Sequence, residues 1–210
     1  MKDNVLFSFF IVVLASYFLG AIPFSFLIAK YFKGIDLRKI GSGNPGATNV
    51  YRSCGFKYAF FAFLFDALKG FIAVYLIPKI FFDVNSDYFV YSRIIAFFTV
   101  VAGHNWTVFL KFKGGKGVAT SAGAIAAFSL KVFGVMFCLW WIFLLATGIV
   151  SVSSILTAVS FPVLLYFFGY EKEYIIFGVF LAAVTILRHK ENIKRLLKGE
   201  EKRIWRRKAK

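Results

Sequence analysis

Apolar residues run almost unbroken through 5–29, 58–77, 94–110, 118–168 and 174–187, and polar residues gather where those runs stop. Such runs predict membrane-spanning helices, because a helix rising about 1.5 Å per residue needs about 20 apolar residues to cross a hydrocarbon core of about 30 Å. Residues 5–29, 58–77 and 94–110 each match one crossing. The 51-residue stretch 118–168 carries a single charge, Lys131, and has room for two long passes or three short ones.

Charge decides between these readings. Twenty of the 26 Lys and Arg fall in the segments 30–57, 111–116 and 188–210, and the positive-inside rule places all three in the cytoplasm. From residue 117 inside, two passes would export the eleven basic residues of 188–210. Three passes, divided as 118–131, 132–150 and 153–168, followed by a last span at 174–187, keep them inside. The expected fold is therefore an all-α polytopic membrane protein of about seven transmembrane helices, with its N-terminus outside and its C-terminus cytoplasmic. The short middle passes call for tilt, local thinning or outward snorkelling of Lys131. This division returns Ser151, Ser153 and Ser154 to the cytoplasmic face.

Composition fits that picture: 60% of residues are hydrophobic, 20% aromatic, and the mean hydropathy is +0.73, against about 45–50% apolar residues in soluble domains. We expect one integral-membrane domain over 1–210, with 188–210 as a basic tail. Residues 5–29 lack a small-residue cleavage site and read as a retained span. Cys54 and Cys138 have neither metal-ligand spacing nor the density of a disulfide scaffold.

Three polar motifs stand at the ends of the apolar runs. In Gly41-Ser-Gly-Asn-Pro-Gly-Ala-Thr-Asn49, Gly41, Gly43 and Gly46 allow successive N–H groups to turn inward as an anion-binding nest. Asn44-Pro45 reads as a helix N-cap and first helical residue, which would aim a helix N-terminus at the same spot. Asn49 and Arg52 then present donors to whatever the nest holds, Arg52 with the fork that suits phosphate. The alternative is a plain glycine turn between spans.

In the second motif, Phe112-Lys-Gly-Gly-Lys-Gly117, a Walker A loop would need Gly at position 110 and Ser or Thr at 117, where Leu110 and Gly117 stand. The nucleotide reading fails. What remains is a glycine loop with two ammonium groups and exposed N–H donors, opening a helix at Val118: a second phosphate cradle, or else lysines that only fix topology. In the third, His189 and Asn192 share a face where the last span leaves the bilayer, and Gly199 suits a helix stop. The remaining charges to Lys210 read as an anchor on anionic lipid. His104 at a span end either serves a site or bonds locally. Asp66 and Lys69, one helical turn apart within a span, read as a mutually satisfied ion pair.

Carboxylates on the cytoplasmic side are few, so the sequence offers neither a paired acid for two metals nor a His/Cys cluster for zinc. No metal and no cofactor are expected. Positions five beyond the two histidines hold Phe109 and Lys194, so a His-x-x-x-x-Asp pattern is missing.

Together, in this order and at these span ends, the three motifs resemble the bacterial acyl-phosphate:glycerol-3-phosphate acyltransferase family. The resemblance rests on Gly41–Asn49 with Arg52, Gly103-His104 with Phe112–Thr120, and Arg188-His189 with Asn192-Ile193, Arg195-Leu196 and Gly199-Glu200, with Asp66 and Lys69-Gly70 as a further feature. Trp106-Thr107 departs from it, since the family commonly has an aromatic followed by proline there. The resemblance implies acyl transfer from acyl phosphate to the 1-hydroxyl of glycerol 3-phosphate, releasing phosphate and giving lysophosphatidic acid. It assigns Ser42, Asn44, Thr48 and Asn49 to acyl phosphate, and Arg52, Lys116, Ser154, His189 and Asn192 to glycerol 3-phosphate and transition-state charge. Of these, Arg52, Lys116, Ser154 and His189 are the expected catalytic residues. Gly43, Gly46, His104, Gly114, Gly115 and Gly117 are expected to complete the substrate contacts. It further implies a monomer in the bacterial inner membrane, its active site facing the cytoplasm and membrane lipid around it, with no nucleic-acid partner. The rival reading is a transporter or flippase for phosphate-headed lipids, which would favour internal repeats and a midplane site; no repeat is visible.

Overall fold

The computed structural model describes residues 4–205, and the regular structure of those residues is helical throughout. Contacts divide the chain into two compact units, Met1–Leu130 and Lys131–Lys210. The first contains α1 (Val5–Ala21), α2 (Phe24–Lys33), α3 (Ala47–Cys54), α4 (Phe56–Tyr75), α5 (Ile77–Phe81), α6 (Asp87–Asn105), a 3-10 turn at Val108–Leu110, and α7 (Val118–Phe128). The second contains α8 (Leu130–Thr147), α9 (Val150–Phe167), α10 (Lys172–Arg188) and α11 (Lys190–Leu197).

The expected first span at 5–29 is not one helix. It breaks at Ile22-Pro23, where proline has no N–H to continue the helical ladder. α2 then ends in a left-handed Gly34 (φ +67), whose N–H bonds to Lys30 O while Ile35 N reaches back to Ala29 O, satisfying carbonyls that a helix end leaves open. The expected span at 94–110 instead begins at Asp87 and gives way to the 3-10 turn after Asn105. The 51-residue apolar stretch forms three helices, broken at Ser129 and at Gly148-Ile149. Among the described residues, five segments are long and apolar enough to cross a membrane: Val5–Lys33, Phe56–Phe81, Asp87–Leu110, Leu130–Thr147 and Val150–Phe167. Large apolar side chains such as Phe10, Phe60, Leu145 and Phe167 cover their outer faces, as a lipid solvent requires. Residues 1–3 and 206–210, expected as an outside start and part of a lipid anchor, lie outside the described residues.

Close backbone packing holds the first unit together. α4 lies along α7, and α1 along α6. A Cβ added at Gly70 would strike the Thr120 carbonyl, and one at Gly123 the Ala67 carbonyl; at Gly20 and Gly103 it would strike the backbones of Val100 and Tyr17. Small residues matter here because helix association in lipid draws on van der Waals contact and not on exclusion of water.

At 11 residues, α7 is only about 16 Å long and falls short of a bilayer core. Its last turn therefore needs an internal partner for its carbonyls. Arg93 of α6 supplies one: its Nη2 donates to Ala127 O at 2.7 Å, with the guanidinium 5.0 Å from the centre of the Phe128 ring.

In the second unit, α10 packs on α9, with Gly178 against Pro162, and Trp140 Nε1 on α8 donates to Ser154 Oγ on α9 at 3.3 Å. The chain after α11 returns to the α8–α9 turn, where Ile204 N donates to Gly148 O at 2.8 Å.

If backbone contact at Gly123 holds α7 on α4, Gly123→Val should cost about 1–3 kcal/mol or more from overpacking, a fall of at least about 2 °C in melting temperature for a chain of this size. Gly134→Ala in α8, where a Cβ meets nothing within 4 Å, should leave melting unchanged or raise it. Equal melting of the two variants in detergent would remove the packing argument.

Candidate functional site

The first motif is a loop wrapped around Asn49. This side chain is 1% exposed; its Nδ2 donates to Leu37 O (3.1 Å) and Ile40 O (3.0 Å), and its Oδ1 accepts from Ser42 N (3.3 Å). Leu37 is anchored among Ile28, Ala29, Val50, Ala59 and Ala62. The left-handed Gly41 (φ +65) passes so close that any Cβ would overlap Asn49 Oδ1.

Two expectations change as a result. The N–H groups of Ser42, Gly43, Asn44 and Gly46 bond within the loop, to Asn49 Oδ1, Ile40 O, Ser42 Oγ and Asn44 O, so they do not form an inward nest. The helix also starts at Ala47 with Gly46 as its cap, and not at Asn44-Pro45. The Gly46 N to Asn44 O bond makes a tight three-residue turn about Pro45, which resets the chain before the helix begins. Asn49, expected to contact substrate, bonds the loop backbone through both ends of its amide. Arg52 is exposed and shares a helix face with the half-buried Thr48. The other arginine nearby, Arg38, forks Asp36 at 2.9 and 2.7 Å.

The second motif folds against the end of α6. Gly114 N donates to Asn105 O (3.2 Å) and Gly115 N to His104 O (3.1 Å), so these two N–H groups, expected as phosphate donors, are used within the protein. Lys116 is half-buried, and Gly117 (φ +80) caps α7 at Val118, the predicted start. Thr107 occupies the place where a proline was expected. Its φ is −67°, the value a proline ring would impose. Its Oγ1 donates to Ala21 O at 2.6 Å and accepts from Phe109 N at 3.2 Å, so the turn is braced without the ring.

Beneath these loops lies a buried polar cluster. Lys69 Nζ is 2.8 Å from Asp66 Oδ1, the expected ion pair. No sequence pattern announced the rest: Ser25 Oγ donates to Asp66 Oδ2 at 2.7 Å, Lys69 Nζ donates to Ile22 O at 2.8 Å, and His104 Nδ1 lies 3.5 Å from Asp66 Oδ1. A His–Asp pair thus exists although the contiguous pattern does not, with its members on α4 and α6. Pro45 of the first motif, Gly114 and Gly115 of the second, Thr107, Lys69 and His104 line one recess, which brings the two motifs together within the first unit.

The third motif centres on a residue that its sequence pattern left without a role. Glu201 accepts from Asn192 Nδ2 (2.6 Å), Arg195 Nε (2.7 Å) and Ser151 Oγ (2.9 Å), with its side chain 5% exposed. Burial pushes the Glu201 carboxyl up, but the hydrogen bonds from Asn192, Arg195 and Ser151 outweigh it, and the group is held below the ordinary glutamate value of 4.5. Gly199 (φ +70) follows α11 as expected and lets the chain turn back to bring Glu201 there. His189 is buried; its Nδ1 faces Thr185 O at 2.8 Å and so carries the proton of that bond. Ser154 Oγ donates to Val150 O and accepts from Trp140. Among the described residues no group of three His, Cys, Asp or Glu is placed to hold a metal ion.

Apolar helices of membrane length, ended by braced glycine loops and buried polar clusters, define a polytopic membrane protein with its polar chemistry at helix ends. The chain belongs to the glycerol-3-phosphate acyltransferase family, whose model matches residues 10–199. It is 40% identical over 198 residues to the glycerol-3-phosphate acyltransferase of Desulforamulus reducens (94% of this chain, 96% of that one). It is 41% identical over 195 residues to that of Carboxydothermus hydrogenoformans (93% and 96%). Among solved structures it is similar to PlsY (YgiH), an integral membrane glycerol 3-phosphate acyltransferase. The glycerol 3-phosphate form matches with a TM-score of 0.87 at 40% identity, covering 94% of this chain and 96% of that one. The lysophosphatidic acid form gives 0.84 at 39%, with the same coverage.

The Glu201 cluster sets a pH dependence. Because folding lowers this pKa, its stabilisation is complete above about 4.5, the ordinary glutamate value, and is lost as pH falls through the folded value. Glu201→Gln should lower the melting temperature at pH 7 by at least about 3 °C, given about 1.5 kcal/mol or more for hydrogen bonds to a charged group. The gap to the parent protein should narrow below pH 4.5. A gap unchanged across that range would show that the ionised carboxylate is not what holds Asn192 and Arg195.

Proposed function

We propose that this protein transfers a fatty acyl group from acyl phosphate to the 1-hydroxyl of glycerol 3-phosphate, giving lysophosphatidic acid and inorganic phosphate for phospholipid synthesis. The observation that carries this is the likeness, over 94% of the chain, to a membrane acyltransferase solved in glycerol 3-phosphate and lysophosphatidic acid forms. Those two molecules differ by one ester-linked acyl chain, so the donor must be an activated acyl group. Acyl phosphate, a mixed anhydride with phosphate as leaving group, asks little carbonyl activation of the protein, and positioned donors carry the catalysis. The glycerol hydroxyl attacks the acyl carbon, the ester C–O bond forms as the anhydride C–O bond breaks, and a phosphate oxygen takes the hydroxyl proton.

In this reading Ser42, Asn44 and Thr48, with Gly43 and Gly46 keeping the loop low, serve the acyl phosphate. Asn49 acts by holding that loop. Arg52 and Lys116 hold the phosphate of glycerol 3-phosphate and the charge of the transition state, with Gly114, Gly115 and Gly117 shaping the Lys116 loop. Ser154, His189 and Asn192 serve glycerol 3-phosphate, with Glu201 fixing Asn192. The protein works as a monomer in the bacterial inner membrane. Its chain crosses seven times, with its N-terminus outside and its basic segments in the cytoplasm; α10 and α7, the latter too short to span alone and completed by its supports on α4 and Arg93, supply the two crossings beyond the five longer segments.

The direct test is purified protein supplied with acyl phosphate and glycerol 3-phosphate: phosphate and lysophosphatidic acid should appear in equal amounts, and folded protein yielding neither would end the proposal. Charge-assisted hydrogen bonds contribute about 1.5–3 kcal/mol, so Arg52→Ala or Lys116→Ala should lower kcat/KM by about ten- to a hundredfold. Arg52→Lys should recover only part of that, since a point charge lacks the planar fork. Lys208→Ala removes equal charge from the tail and should change turnover less than about twofold; a common fall in all three alanine variants would reduce the motifs to topology signals.

Topology is checked by thiol labelling in intact cells, with Cys54 and Cys138 replaced by serine. A cysteine at Asp83 should react with an impermeant reagent, and cysteines at Lys39, Lys113 and Trp205 should be protected. Protection at position 83 would overturn the seven-pass reading.

A further inference from the structure

His104 is clamped from two sides. Its Nδ1 edge faces the buried Asp66 carboxylate at 3.5 Å, and that carboxylate is itself fixed by Lys69 and Ser25. The opposite edge carries Nε2, and Gly115 rests there so closely that a Cβ on this glycine would overlap Nε2. The same stretch of loop is pinned to the end of α6 by the bonds from Gly114 N to Asn105 O and from Gly115 N to His104 O. Lys116 follows directly, and Gly117 then opens α7. The imidazole therefore acts as a spacer: two backbone bonds pull the loop down onto α6, and the ring, seated on a carboxylate that cannot retreat, stops it.

We propose that His104, seated on Asp66, is a positioning residue that sets the height of the Gly114–Gly117 loop and thereby places the Lys116 ammonium for the phosphate of glycerol 3-phosphate. The proposal rests on the assignment of Lys116 to that phosphate made above. It gives a reason for glycine at 115 that backbone freedom does not, since Gly115 is absent from the positive-φ residues: the constraint is the ring beneath it. It also separates Gly114 from Gly115. An added Cβ at 114 meets the His104 carbonyl, which is backbone and does not yield, whereas at 115 it meets a side chain that substitution can remove.

A double-mutant cycle between positions 115 and 104 tests this. Gly115→Ala should raise KM for glycerol 3-phosphate about ten- to a hundredfold, as a displacement near 1 Å does in a pre-organised site, with KM for acyl phosphate and the melting temperature little changed. His104→Asn, which keeps a polar group beside Asp66 but removes the ring edge, should restore space. The double variant should therefore bind glycerol 3-phosphate at least about threefold better than Gly115→Ala alone, a coupling typical of residues in contact. Additive effects, no effect of Gly115→Ala, or equal shifts in both KM values would each overturn the proposal. If Gly115→Ala does not accumulate, the cycle is read on yield and melting: recovery by His104→Asn supports the contact, and no recovery overturns it. Failure of Lys116→Ala to alter activity would instead strike the phosphate assignment, while a normal Lys116→Ala response with an additive cycle would strike only the role of His104.

Discussion

A lysine and an aspartate lie sealed within the first unit, 2% and 1% exposed, and the architecture around them follows from keeping them satisfied. Taking both charges out of water costs several kcal/mol per ion, which mutual attraction offsets only when the remaining lone pairs and protons also find partners. Asp66 and Lys69 find theirs on other helices. Ser25 at the start of α2 donates to the carboxylate, the Ile22 carbonyl at the α1–α2 break accepts from the ammonium, and His104 near the end of α6 faces the carboxylate. The break at Ile22-Pro23 takes the Ile22 carbonyl out of the helical ladder, where it accepts from both Phe24 N–H and the lysine. Ion pair and helix break thus support each other: the break gives the buried ammonium a second acceptor beyond Asp66, which a charge at this depth needs.

The second unit solves a similar problem with one buried carboxylate and three donors. Ser151 begins α9, Asn192 and Arg195 lie on α11, and Glu201 reaches both through the reversal at Gly199. Its position in a basic segment would favour ionisation wherever it stood. Convergent hydrogen bonds do something further, fixing the Asn192 amide in one orientation while His189, three residues earlier, is fixed through Nδ1 on the Thr185 carbonyl. Amide and imidazole groups held in this way are pre-organised, which is where positioned donors gain their catalytic value.

What was legible in the sequence was mostly periodic, local or counted. Length and apolarity located the membrane helices, and the distribution of lysine and arginine argued for three helices within 118–168, which the structure contains. Gly117 and Gly199 announced a helix start and a helix end. The break after Ile22 was hidden because hydropathy continues across it, and a proline early in an apolar run reads as tolerable in lipid. The hydrogen bonds of Asn49 to its own loop were hidden for another reason: helical spacing shows which residues share a face, not whether that face looks outward or back at its own loop. The contacts of His104 with Asp66 and of Glu201 with Ser151 join residues 38 and 50 positions apart, and no short pattern encodes such a meeting. Thr107 shows the same limit in reverse, since a departure from the expected proline leaves φ intact and adds two hydrogen bonds.

The shortness of α7 bears on the order in which the chain is built. Eleven residues cannot complete a crossing or satisfy their last carbonyls alone, so this helix would be a poor substrate for insertion if it reached the membrane first. Its two supports, the α4 groove that receives Gly123 and the Arg93 side chain of α6 that meets Ala127, are both encoded upstream. A ribosome delivers them before α7 emerges. The chain thus places its least self-sufficient helix after the helices that complete it, so that the vectorial direction of synthesis supplies what its hydrophobicity lacks.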